Sequence, residues 1–303
     1  MTKYIKCINY LISKKTNSVT KSPSTTYNSI YTLGSENYFN HFLTVYNILR
    51  KWNCDEDTCF AGLFHFIYSN EIRRGVPFSS TAVFETDREV IKELIGPKAE
   101  SYVYQFNADR YQNKICRTIN FANSLSKPLI LVTDDYYDAK DTDDFYFYFR
   151  DIVKWGFIGS GKKGSKNWRK FYYDVNFKNK FEKKLRKFTD HLLTNYHIKE
   201  FLKLDRCYAS ASPYGTVHEI HTDYVEPHQG ITVMYYLNSN WDFQLGGETV
   251  FFDIFKKDII KSIIPKPGRV IVFDGGYPHC ARETVRNFND LRMVVTFKYS
   301  IKL

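Results

Sequence analysis

No apolar stretch in this chain approaches the roughly 20 residues that a membrane-spanning helix needs, which excludes a helical membrane protein. The N-terminal segment "MTKYIKCINYLISKKTNSVTKSPSTTYNS" has a basic start but no apolar core and no small-residue cleavage site. Residues 1–28 therefore read as a poorly ordered leader rather than a signal peptide. The six cysteines (Cys7, Cys54, Cys59, Cys116, Cys207 and Cys280) are scattered and include no CxxC pair. Free, mostly buried thiols in a reducing compartment, by default the cytoplasm, are expected. Internal repeats are missing, and low-complexity sequence is confined to the leader. Histidine is scarce, at eight in 303 residues, which makes the placement of each one informative.

What is present fits a soluble globular chain of two domains, with 43% hydrophobic and 25% charged residues. The net charge of +10 has a local source: residues 161–206 hold 14 Lys and Arg against 5 Asp and Glu. Within that segment Phe177, Phe181, Leu185, Phe188 and Leu192 fall at helical spacing, so the lysines form the outer face of an amphipathic helix. This reading is preferred to a nucleic-acid footprint, although nucleic acid stays open as a partner. The run "DDYYDAKDTDDFYFYFRD" reads as an acidic surface loop entering a helix.

The hydrophobic period divides the chain. From about residue 30 to 120 it is helical. His41, Val45, Ile48, Leu49 and Trp52 share one face, and "DEDTCFAGLFHFIYS" opens with acids and then turns apolar all round, as a buried helix would. Thr86 and Glu89 form a capping box, and Gly96-Pro97 ends that helix. Near residue 126 a polar stretch with a proline precedes the β-branched run "LILV", which marks a domain boundary. After helices at about 143–156 and 177–196 the period drops to two, in "DRCYASA", "GITVMYYLN", "GETVFFD", "IIKSIIP", "RVIVFDG", "HCARETV" and "LRMVVTFKYSI". Short strands punctuated by turn residues argue for a sandwich or barrel.

On a strand His221 and Asp223, two residues apart, leave the same face. His279 offers a third donor. Two histidines and a carboxylate on one face of an octahedron, with open positions opposite, suit non-haem Fe(II). In the last strand Arg292 and Thr296 point the same way, and a buried arginine in an apolar strand calls for an anionic partner.

The stretch from Asp205 to Lys298, with "RCYASASPYGTVHEIHTD", "TVMYYLNSNWDFQLGGETVFFD", "IIPKPGRVIVFDGGYPHCAR" and "LRMVVTFK" in order, resembles the 2-oxoglutarate/Fe(II)-dependent dioxygenases of the prolyl 4-hydroxylase-like type. The resemblance implies a double-stranded β-helix (jelly roll). It makes His221, Asp223 and His279 the iron ligands. Arg292 and Thr296 would hold the distal carboxylate of 2-oxoglutarate, and Tyr236 and Tyr208 would hydrogen-bond the co-substrate. His221, Asp223, His279 and Arg292 then form the catalytic set, and ascorbate is a further candidate cofactor. The implied reaction converts 2-oxoglutarate to succinate and CO2 while hydroxylating an unactivated C–H bond. The substrate would be a small molecule or peptide, and the basic segment favours an anionic one.

Residues 36–110 are similar to an uncharacterised HD-like helical family. His41, His65 and Asp109 would echo its metal-binding series, and Phe66 stands where a second aspartate would be. The expected fold class is α+β: a leader (1–28), an all-helical HD-like domain (29–125) and a jelly-roll oxygenase domain with flanking helices (126–303). Two alternatives remain: an HD-type metal-dependent phosphohydrolase with an accessory β domain, and a non-catalytic binding protein.

Overall fold

The computed structural model describes residues 2–13, 38–68, 88–158, 170–216 and 218–302. The chain divides into two compact units, Met1–Lys127 and Pro128–Lys302, apart from the last residue. Among the described residues no helix is long and apolar enough to cross a membrane.

The described part of the first unit is helical: α1 (Lys3–Ser13), α2 (Tyr38–Lys51), α3 (Glu56–Phe64), α4 (Arg88–Ile95), α5 (Pro97–Ala108) and α6 (Lys114–Leu125). Part of the expected leader is thus a helix. Cys7 and Leu11, four residues apart on α1, are fully buried, and this apolar stripe orders a segment whose composition looks polar. Residues 14–28 and Thr86 of the expected capping box lie outside the described residues. Side-chain caps start α3, where Asp55 accepts from Thr58 N, and α6, where Asn113 accepts from Cys116 N. Gly62 on α3 faces Leu49 on α2 so closely that a Cβ would collide with it. That approach brings His41 and His65 together.

The second unit contains two antiparallel sheets. The larger has the order β1-β8-β5-β10-β4-β3-β2 and the smaller β7-β6-β9. Their strands are β1 (Ile130–Thr133), β2 (Gly156–Ile158), β3 (Lys170–Asp174), β4 (Leu202–Ser212), β5 (Gly230–Tyr236), β6 (Thr249–Phe252), β7 (Ile259–Ile263), β8 (Val270–Asp274), β9 (His279–Ala281) and β10 (Arg292–Ile301). Met234, Tyr236, Ile271, Phe273 and Val294 of the larger sheet pack with Phe251 and Ile263 of the smaller. Each such side chain contributes about 1.5–3 kcal/mol by leaving water, so this cluster joins the two sheets.

Helix α7 (Ala139–Phe147) runs into a π-helical turn, and α8 (Lys180–Asn195) starts at an Asn179 cap. Phe177, expected on that helix, precedes it with φ 60°. Its backbone N–H donates to Glu182 at 2.7 Å, and Glu182 also accepts from Tyr148 and Tyr173. This fully buried carboxylate ties α8 to β3.

Candidate active site

The loop before β5 and the start of β9 meet through two reciprocal backbone bonds, His221 N to His279 O (3.0 Å) and His279 N to His221 O (2.9 Å). His221 is therefore on an isolated bridge, not a full strand, and Asp223 follows in a bend held by Asp223 N donating to Gly275 O at 2.7 Å. Glycine at 275 suits the close approach, since a Cβ there would lie 2.7 Å from Tyr224 Cδ2, 3.0 Å from Thr232 Oγ1 and 3.1 Å from the Cβ of Asp223. At Gly276 a Cβ would collide with the backbone of Glu226 and Pro227. Buried Asp274 completes the junction by accepting from His228 N at 2.8 Å and Gly276 N at 2.9 Å.

As a result, donor atoms of His221, Asp223 and His279 all lie within 4.8 Å of one another. His221 Nδ1 faces Glu219 O at 3.0 Å and His279 Nδ1 faces Tyr277 O at 2.9 Å. A carbonyl only accepts, so each ring carries its proton on Nδ1 and turns an unprotonated Nε2 inward. The Nε2 atoms stand 3.8 Å (His221) and 3.7 Å (His279) from the Asp223 carboxylate. Ligating histidines are oriented by this kind of outer hydrogen bond, so the donor set fits a divalent ion. Burial, together with His221 and Lys298, lowers His279 to about 4, against the pull of Asp223. Burial alone would raise the Asp223 carboxyl. The charges of His279 and Lys298 and the hydrogen bond from Thr232 (2.6 Å) pull it below its ordinary value. His279 and Asp223 are thus free of protons at neutral pH. Lys298 Nζ lies 2.6 Å from Asp223 Oδ1, an ion pair whose alignment leaves that oxygen without a true hydrogen bond.

The other end of the site is Arg292, 4% exposed. Its Nε donates to Gly247 O at 2.6 Å and its Nη2 to Thr249 Oγ1 at 2.9 Å. Both acceptors are neutral, and among the described residues no carboxylate pairs with it. Arg292, Thr296 and Tyr208 line the same cavity as the His-Asp-His group. Tyr236 is placed differently from the expectation. It is fully buried, gives its hydroxyl to Thr249 Oγ1 at 2.7 Å and lies under the Arg292 guanidinium, 5.5 Å from its ring centre. It supports the arginine from behind and is not among the cavity-lining residues.

Sequence reasoning missed Thr249, Thr232 and Lys298. A signal existed for Lys298, which continues the alternation of Arg292 and Thr296 along β10, and for Thr232, a polar residue in the otherwise apolar "GITVMYY". Thr249 was hidden among the β-branched residues that any strand uses. Trp241 packs on Phe288 and donates to Gly246 O at 3.2 Å, which makes it a turn packer.

In the helical unit His41 Nε2 and His65 Nε2 lie 3.2 Å apart. Asp109, expected beside them, is exposed at the C-terminal end of α5, where it accepts from Tyr111 N. The last turn of α5 directs it away, and Asn123 from α6 takes the third place, its Oδ1 3.2 Å from His65 Nε2. Phe66 packs against both rings. Burial lowers His41 to about 4 and His65 to about 3.

Residues 31–110 match a domain family of unknown function, DUF6817, and residues 208–299 match the 2OG-Fe(II) oxygenase superfamily. No curated protein matches the chain. Among solved structures, it is similar to a prolyl hydroxylase from Trichoplax adhaerens in complex with a hypoxia inducible factor peptide, at 16% identity over 59% of this chain and 86% of that one, TM-score 0.48. A prolyl-4-hydroxylase from Pseudomonas putida shares 16% identity over 60% of this chain and 96% of that one, TM-score 0.46. HygX from Streptomyces hygroscopicus, solved with nickel and 2-oxoglutarate bound, shares 11% over 57% and 82%, TM-score 0.44. The C-terminal part of this chain carries a domain of the 2OG-Fe(II) oxygenase superfamily and is a 2-oxoglutarate-dependent dioxygenase that uses Fe(II).

Proposed function

We propose that the second unit hydroxylates an unactivated C–H bond of a small-molecule or peptidyl substrate, with release of succinate and CO2. His221 Nε2, His279 Nε2 and an Asp223 oxygen would hold the metal. The chemistry supplied by bound Fe(II) is O2 activation coupled to decarboxylation of 2-oxoglutarate, and the protein's part is position and electrostatics. The observation that carries the reading is Arg292, a buried guanidinium whose hydrogen bonds go to neutral acceptors, in the same cavity as the three donors. A planar fork of N–H groups in a water-poor pocket fits a carboxylate in two-pronged fashion. Thr296 lines the wall beside it, Thr249 links the arginine to Tyr236, and Tyr208 closes the side toward Lys298. Thr232 orients the Asp223 carboxylate by a hydrogen bond, and Lys298 competes with the ion for its other oxygen.

The basic segment 161–206 favours an anionic group on the substrate.

The test is formation of succinate from 2-oxoglutarate by the Fe(II)-loaded chain. His279→Ala is expected to abolish it. Succinate formation that survives this change sinks the assignment, as does its absence in the parent protein across substrate mixtures.

A further inference from the structure

The buried cluster of the helical unit has too few protons for its contacts. Five close contacts link its members. His65 Nδ1 meets Gly62 O at 2.6 Å, Ser126 Oγ meets Asn123 O at 2.7 Å, and Ser126 Oγ meets His41 Nδ1 at 3.0 Å. The remaining two, His41 Nε2 to His65 Nε2 and His65 Nε2 to Asn123 Oδ1, are each 3.2 Å. A carbonyl takes a proton but cannot give one. The contact to Gly62 O therefore uses the proton of neutral His65, and the contact to Asn123 O uses that of Ser126. His41 must then supply the proton between Nδ1 and Ser126. Nothing is left for the last two contacts, and three lone pairs converge. Turning the Asn123 amide supplies one proton and still leaves the two imidazole nitrogens facing each other.

We propose that the N-terminal unit holds a divalent transition-metal ion through His41 Nε2, His65 Nε2 and Asn123 Oδ1. At zinc bond lengths of about 2.0–2.2 Å, neighbouring donors in octahedral or tetrahedral geometry lie roughly 2.8–3.6 Å apart, a range that includes the two 3.2 Å separations. Both histidines have the outer partner that a ligating imidazole uses, Gly62 O for His65 and Ser126 Oγ for His41. Imidazole donors suit zinc, nickel, copper or iron.

The site differs from the one the sequence suggested. Asp109 is absent from it, the donors are all neutral, and both imidazoles are buried under Phe42, Phe66 and Phe106. With no carboxylate base beside the imidazoles among the described residues and aromatic rings packed against them, the ion would clamp α2, α3 and α6 together rather than serve phosphohydrolysis. The ion is structural.

The test uses the full chain with the oxygenase donors removed by His221→Ala, Asp223→Ala and His279→Ala. After chelation and reloading with Zn(II) alone, elemental analysis is expected to find one ion per chain, and zinc is expected to raise the thermal midpoint of the helical unit. His41→Ala with His65→Ala added should reduce the content to zero. Should that variant fail to fold by circular dichroism, Asn123→Asp and Asn123→Leu decide. The first is expected to bind Zn(II) at least tenfold more tightly and the second at least tenfold more weakly. No zinc in the chain lacking the oxygenase donors, or equal affinity in both Asn123 variants, overturns the proposal.

Discussion

Replacing Arg292 by methionine separates co-substrate binding from folding. In the ligand-free protein the guanidinium is buried with two neutral acceptors. Removing it deletes a costly buried charge but leaves Gly247 O short of a donor, a loss of about 1–3 kcal/mol. Replacing buried charges by apolar groups of similar volume is often neutral or stabilising by 1–4 kcal/mol. The ligand-free thermal midpoint should therefore hold or rise by a few degrees. Binding should move the other way, because truncating one partner of a buried hydrogen-bonded charge pair costs about 2–5 kcal/mol. A mid-range loss near 3 kcal/mol weakens 2-oxoglutarate roughly 100-fold. With co-substrate at about 100 times its dissociation constant, the parent protein gains roughly 2.7 kcal/mol. At the same concentration the variant would gain only about 0.4 kcal/mol. Calorimetric titration and thermal melts of the Fe(II)-loaded protein without O2 read both quantities. A variant that binds 2-oxoglutarate as tightly as its parent would refute the carboxylate assignment of Arg292, and one that melts much earlier would refute the stated charge balance.

Other outcomes follow from the same geometry. Lys298→Met removes an ammonium that shares Asp223 with the ion, so Fe(II) should bind on the order of tenfold more tightly in chelator competition; weaker binding would mean that Lys298 supports the site. Gly276→Ala should lower metal affinity at least tenfold with the sheets still folded by circular dichroism, because its Cβ would push apart the loops that carry Asp223 and His279. Acid should weaken the metal-free helical unit. His41 and His65 are held near 4 and 3 when folded and return to about 6.5 when unfolded. The unfolded chain thus binds more protons as pH falls from about 6.5 to 4. Stability should drop across that window by up to about 1.4 kcal/mol per pH unit for each histidine. Urea titrations at pH 7 and 5 check this, and a flat profile would contradict the burial of the pair.

The later β strands were legible from their β-branched and aromatic composition and their turn punctuation, and all seven expected runs contain strands, although β5, β6 and β8 are buried on both faces. Strands β1 to β3 were not, since "LILV" is short and "KFYYD" lacks alternation. Their places are set by pairing with β8 and β4, which is tertiary information. The donor trio could be read because His221 and Asp223 are close in sequence and histidine is rare. Its junction could not: the reciprocal bonds to His279 and the tight approach at Gly275 and Gly276 depend on chain segments roughly 50–60 residues apart. Tyr236 misled for a physical reason. Alternation along β5 gives the face of a residue but not its depth, and at that depth Thr249 intercepts the hydroxyl. Asp109 was implied only by resemblance to the HD-like series, and it stands exposed where the chain leaves α5, with an extended backbone that turns it from the histidines.

The most direct measurement of the central claim is anomalous diffraction at the iron edge from crystals loaded with Fe(II) and 2-oxoglutarate without O2. The account predicts a peak bounded by His221 Nε2, His279 Nε2 and the Asp223 carboxylate, with the far carboxylate of the co-substrate on Arg292. Iron density elsewhere, or a diacid that leaves Arg292 untouched, would contradict it.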